Sequence, residues 1–215
     1  MAFSARVTAR ADILPRTLIA CLSNVLDPIN PQLAKDIVSA YDIDGSAELN
    51  TPDNLRPVLH FGNDIMFALP ARQLARVWSS TRVPGAEAFL CHFNAPNPWE
   101  GPWKGHASHI QDLAFVLMNS HESLSPGQRL CAERYAKDII SFVNGGEPWP
   151  AYETGIKEGT MTYFASETAD EDGSGFVSVE DPKHTSRRDH LRQIVGESLF
   201  DKLVDAWQMF MTGPK

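Results

Sequence analysis

The stretch Asn94–His109 constrains this chain more than any other. Its density of Pro, Gly, Trp and His residues excludes a helix or a ladder of paired strands, yet suits a rigid, shaped loop. On one side lies Ala86–Phe93, whose apolar run of Ala88, Phe89, Leu90, Cys91 and Phe93 predicts a buried strand ended by Asn94-Ala95-Pro96. On the other side Ile110–Met118 predicts a short helix. Ser125-Pro126 then caps and starts a longer helix, with Cys131, Tyr135, Ile139, Phe142 and Val143 on one face and Gly145-Gly146 closing it. Both helices are expected to pack against a sheet. Loops held between such elements are where binding and catalytic side chains concentrate.

Around this centre the pattern is mainly helical. Apolar residues recur at helical spacing along Asp12–Leu26, with Pro15 in the first turn, and along Pro31–Tyr41 (Leu33, Ile37, Val38, Tyr41). A third helix is expected over Pro52–Phe67 (Leu55, Leu59, Ile65, Met66), bent at Pro57, and a fourth over Ala71–Ser79. Met161–Glu167 and Phe176–Glu180 read as strands around the turn at 170–175. The C-terminal stretches Ser186–Val195 and Glu197–Met211 read as helices, the last with a core stripe of Leu199, Leu203, Trp207 and Phe210. Many helices with about three strands imply a mostly helical protein or part of a larger α/β sheet.

Composition narrows the function classes. With 43% hydrophobic and 21% charged residues in 215, the chain can build a core and is not a disordered or collagen-like sequence. Nineteen Lys and Arg against twenty-seven Asp and Glu give a charge of −8, with no dense basic patch, so nucleic acid is not an expected partner. No apolar stretch approaches the roughly 20 residues that cross a bilayer, so no membrane span is expected. Cys21, Cys91 and Cys131 are odd in number and form no CxxC pair; together with the lack of an Asn-x-Ser/Thr sequon, this points to an intracellular, cytoplasmic chain. Arg6, Arg10 and Arg16 with the single acid Asp12 also give Met1–Leu26 the composition of an organelle transit peptide, the plainer alternative being an amphipathic helix.

The order strand, Asn97-Pro98-Trp99 loop, then His109-Ile110-Gln111-Asp112-Leu113-Ala114-Phe115 resembles the histidine loop of type-B carboxylesterases and lipases, the cholinesterase-like branch of the α/β-hydrolase fold, in its fungal form. Phe142-Val143-Asn144-Gly145, Pro148-Trp149-Pro150, Tyr152, the Met161–Phe164 strand and Asp181-Pro182 resemble later motifs of that family in the same order. The resemblance implies an α/β fold of which residues 1–215 form a single incomplete domain: the C-terminal portion, helix-rich with a few strands. It implies carboxylic ester hydrolysis without a cofactor or metal, on a small-molecule or lipid ester. His109 is then the triad base, taking the serine proton and returning it to the leaving alcohol. Asn97, Trp99 and Trp103 would line the substrate gorge, or else only stiffen the loop.

Departures from that family are equally plain. No Gly-x-Ser-x-Gly occurs, and no Gly-rich oxyanion loop. Gly196-Glu197-Ser198-Leu199-Phe200 lacks the closing glycine and follows the histidine, so Ser198 reads as a helix N-cap or surface residue. Met1-Ala2-Phe3-Ser4 looks like the stretch just after the family's triad acid. The expectation is therefore a segment inactive alone, whose strand edge and apolar face favour self-association.

Other chemistries compete. Cys91, His92, His106, His109 and Asp112 mix the ligand types of a zinc site. Residues 170–181 follow a calcium loop, with oxygen side chains at loop positions 1, 3, 5 and 9 and Gly175 at 6, and residues 42–53 imitate it less well. Both end in Asp where the longer Glu normally binds bidentately. A non-catalytic, esterase-like binding module is the remaining alternative.

Overall fold

A computed structural model describes residues 13–46, 52–81, 83, 85–108, 110–119, 121–153, 159–165, 170–178 and 182–213. The helices and strands run in the order α1 (Leu14–Leu26), α2 (Pro31–Ala40), α3 (Pro52–Asn63), a π turn (Asp64–Ala68), α4 (Leu69–Ser79) and β1 (Cys91–Phe93). They continue as α5 (Gln111–Val116), a 3-10 turn (His121–Ser123), α6 (Pro126–Val143), β2 (Gly159–Tyr163), β3 (Gly175–Ser178), α7 (Pro182–Val195) and α8 (Phe200–Thr212). Over the described residues the chain is helix-rich with one small mixed sheet, which is compatible with the α/β class. Among the described residues no helix is long and apolar enough to cross a membrane. The contacts divide into two compact units, one from the chain up to Ala71 and from Lys183 onward, the other Arg72–Pro182.

In the first unit, α1 buries Leu14, Leu18, Cys21, Leu22 and Leu26, a spacing that keeps one face inward. That face packs against α8, which buries Leu203, Ala206, Trp207 and Phe210. Leu199 precedes that helix as a half-buried N-cap residue, and Ser198 is exposed without capping it, because the helix begins later than the periodicity suggests. Tyr41 meets Phe61 edge-on at 5.3 Å between ring centroids, and Phe61 meets Trp207 at 6.1 Å. Gly62 permits this approach, since a Cβ there would lie 2.3 Å from the Trp207 ring.

The expected helix over Pro52–Phe67 is interrupted by the π turn, whose wider register is closed by the Leu69 N–H donating to the Asp64 carbonyl. Pro70 supplies the physical reason. In an unbroken α-helix its ring would collide with the carbonyl of Met66, and it has no N–H to donate. The extra residue of a π turn also rotates the apolar face. Met66, expected inside, is exposed, while Asp64 is fully buried.

The second unit holds the sheet, in the order β1-β2-β3. β1 pairs parallel to β2, with His92 opposite Thr162, and β2 pairs antiparallel to β3, with Met161 opposite Phe176. The parallel pair is joined by the long crossover through α5 and α6, as parallel strands require. The core gathers Phe115, Leu124, Cys131, Ala132, Tyr135, Trp149, Met161, Tyr163 and Ala165.

β1 is not a buried strand: Cys91 is exposed and His92 and Phe93 are half-buried, because β1 sits at the end of the sheet order. On α6, Phe142 and Val143 are exposed, and the fully turned-in face carries Asp138 in their place. That carboxylate accepts a hydrogen bond from the Tyr163 hydroxyl at 2.8 Å and pairs with Arg134 at 3.0 Å, which makes a charged residue tolerable at a core position.

Candidate active-site loop

The loop 94–108 leaves the carboxyl end of β1. Leu90 accepts from the Met161 N–H at 2.9 Å and the Asn94 N–H donates to Tyr163 at 2.8 Å, so alternate residues 90, 92 and 94 face β2. The backbone groups of Cys91 and Phe93 point to the opposite edge, where no strand pairs among the described residues. Beneath the strand, Trp149 packs edge-on against Phe89 and Tyr163, and the Tyr152 N–H donates to Ala88 at 2.7 Å. The Trp-Pro-x-Tyr segment thus braces the strand that carries the loop.

Two buried carboxamides fasten the loop. Gln111, at the start of α5, donates through Nε2 to the Ala95 carbonyl at 2.9 Å. Its Oε1 accepts from both the N–H and the hydroxyl of Ser108, at 3.1 and 3.2 Å. One side chain therefore ties the first residues of the loop to its last. Gln128 does a second such task. It completes a capping box with Ser125 at the start of α6, and its Nε2 reaches back to the Pro96 carbonyl at 3.0 Å. Neither glutamine stands out in the sequence, although Ser125-x-x-Gln128 is itself a helix-start signature.

Within the loop, Asn97 holds a turn. Its side-chain oxygen accepts from the Trp99 N–H at 2.9 Å, its own N–H donates to His106, and its carbonyl accepts from Gly105. Asn97, Trp99 and Trp103 are all half-buried, and Lys104 pairs with Glu100 at 2.7 Å. His109 lies outside the described residues. The positions on either side of it are Ser108, held by Gln111, and Ile110, whose φ of 69° is left-handed. For a β-branched residue that conformation is strained, and such strain persists only where the surroundings enforce it.

Four hydroxyl and thiol groups in this unit are not activated nucleophiles. Burial pushes the Cys131 thiol up to about 11, so it is not a thiolate at neutral pH. Burial likewise raises Tyr135 to about 12, and it raises Tyr163 further, reinforced by the hydrogen bond to Asp138. The Ser108 hydroxyl is engaged with a carboxamide oxygen, which is too weak a base to activate it.

Elsewhere, among the described residues no three His, Cys, Asp or Glu side chains lie close enough to hold a metal ion. In the segment 170–178, the Asp172 carboxylate accepts from the Ser174 N–H at 2.9 Å, and strands β2 and β3 flank the turn. In the segment 42–46, Asp44 accepts from the Ser46 N–H and hydroxyl. The remainder of both loops, including Asp181 and residues 47–51, falls outside the described residues, as does the chain before Ile13.

The most conspicuous cluster missed by pattern reading lies in the first unit. Asp64, fully buried, accepts from Arg187 Nε at 2.9 Å, Arg188 Nε at 2.8 Å and the Tyr41 hydroxyl at 3.1 Å. Burial alone would raise its carboxyl, but the two guanidinium groups outweigh that and hold it below its ordinary value. Comparisons with protein-family models, with curated proteins and with solved structures find no match.

Proposed function

We propose that this chain provides the general base of a serine carboxylester hydrolase, with His109 in that role. The observation that carries the reading is the Gln111 clasp, which fixes Ser108 to Ala95 at the carboxyl end of a parallel strand, immediately before the histidine. Ligand sites of open α/β sheets lie outside the carboxyl ends of their strands, and a base on a loop fastened at both ends keeps its orientation through turnover. The left-handed Ile110 on the other side adds a conformational constraint of the kind found at catalytic positions.

On this reading the reaction is acyl transfer. The nucleophilic serine attacks the ester carbonyl as His109 takes its proton; the alcohol then leaves with that proton, and water repeats the sequence on the acyl-enzyme. The serine, the oxyanion donors and the acid that orients His109 belong to a preceding segment whose strand continues the sheet beyond β1. No strand pairs with that edge among the described residues, so its backbone groups are open to a further strand. A small-molecule or lipid ester is the substrate.

The test is reconstitution. Translation of the genomic sequence upstream of Met1 should give an in-frame segment with Gly-x-Ser-x-Gly. Joined to this chain, it should hydrolyse p-nitrophenyl esters and take a serine-directed phosphonate at that serine. The chain alone should not exceed a histidine-containing control protein. Robust turnover by the lone chain, or a joined protein whose serine stays unlabelled, would overturn the proposal.

A further inference from the structure

We propose that His60 is an acid-sensitive clasp that fastens α7 to α3 in the first unit, closed while its imidazole is neutral and opened when it takes a proton. Arg187 bridges the two helices. Its Nε donates to the buried Asp64 carboxylate, and its η1 nitrogen lies 3.1 Å from His60 Nδ1. A guanidinium can only donate, so Nδ1 must accept, and the ring in this geometry is neutral with its hydrogen on Nε2. The same guanidinium lies over the Tyr41 ring, 5.3 Å from its centroid. Three partners therefore hold one side chain of α7, and one of the three is lost on protonation.

Protonation would do more than remove an acceptor. The charged groups that bear on His60 are Arg56 from its own helix, Arg187 and Arg188 from α7, and Asp64 from the π turn. Arg187 and Arg188 already share the Asp64 carboxylate, so an imidazolium would add a further cation beside two guanidinium groups. Burial and the Arg187 charge both favour the neutral ring, and Asp64 opposes them without prevailing. The folded chain thus binds the proton less readily than an unfolded segment does. The stabilising contribution is complete above the ordinary value of 6.5 and falls away as pH drops below it.

Hydrogen exchange of the full chain tests this, read on the backbone amides of α7 at about pH 7.5 and about pH 5.5 after correction for intrinsic rates. The corrected exchange should rise about threefold or more at the lower pH, and His60→Gln should abolish the rise, because the Gln carbonyl accepts from Arg187 at either pH. His190→Gln, an exposed position on the same helix, should leave the rise intact. An undiminished rise in His60→Gln, or none in the wild type, would overturn the clasp. Should His60→Gln not fold, proton NMR of the wild-type ring decides: a midpoint below 6.5 is expected, and one at or above 6.5 refutes it.

Discussion

Replacing Gln111 by Leu keeps the size of the side chain and removes all of its hydrogen bonds. The Nε2–H to the Ala95 carbonyl, at 2.9 Å, is the costly one, because Ala95 is fully buried and its oxygen would be left without that donor. Such an orphaned acceptor costs about 1–3 kcal/mol. The two bonds from Ser108 lie in a partly exposed setting, where water can replace them, and add about 1 kcal/mol together. The sum is about 2–4 kcal/mol, which at this chain length corresponds to a fall in Tm of about 4–16 °C. Gln111→Glu separates the contributions: it retains an acceptor for Ser108 but sets a carboxylate against the Ala95 carbonyl, so it should be at least as destabilising. Ser108→Ala should cost under about 1 kcal/mol. Urea denaturation followed by near-UV circular dichroism reports all three. A Gln111→Leu unfolding free energy within about 0.5 kcal/mol of wild type would refute the claim that this side chain holds the loop.

Three further outcomes follow from the packing. Gly62→Ala should lose about 1–2 kcal/mol net by thermal melting, because a Cβ 2.3 Å from buried Trp207 forces repacking that exceeds the helix-propensity gain of about 1 kcal/mol; a rise in Tm would contradict it. Tyr163→Phe should cost about 1.5–3 kcal/mol in the same assay, through loss of the 2.8 Å bond to Asp138, whereas a neutral result would show that Arg134 alone satisfies the carboxylate. Asp64→Asn should cost about 2–3 kcal/mol at neutral pH, the partly exposed arginines limiting the loss. Since the Asp64 carboxyl is held below its ordinary 3.8, its contribution is present above that value and disappears as pH falls below it; acid titration of Asp64→Asn should therefore be flatter there than that of the wild type.

How much of this was legible in the sequence depended on how local the determinant was. The helices over α1, α2 and α6 were readable because Pro15, Pro31 and Ser125-Pro126 mark their starts and Gly145, at a φ of 76°, marks the last one's end. The π turn was not, since a window of apolar spacing assumes a constant rotation per residue, and the clash at Pro70 is resolved by breaking it. The exposure of Phe142 and Cys91 was equally hidden: periodicity shows which residues share a face but not whether anything covers that face. For the loop, composition located Asn94–His109 as irregular, yet the fasteners Gln111 and Gln128 are ordinary helix residues whose long-range bonds leave no local trace. The Asp64 cluster spans more than a hundred residues of sequence, beyond any motif.

The central claim, that His109 is the base of ester hydrolysis, is tested most directly by comparing histidine variants in the joined protein. Turnover of p-nitrophenyl butyrate should fall by about 10³-fold or more in His109→Ala, as loss of a triad base does, with KM little changed. His106→Ala and His92→Ala should each stay within about tenfold of the parent. Near-parental turnover in His109→Ala, or a His106→Ala loss that exceeds it, would contradict the account.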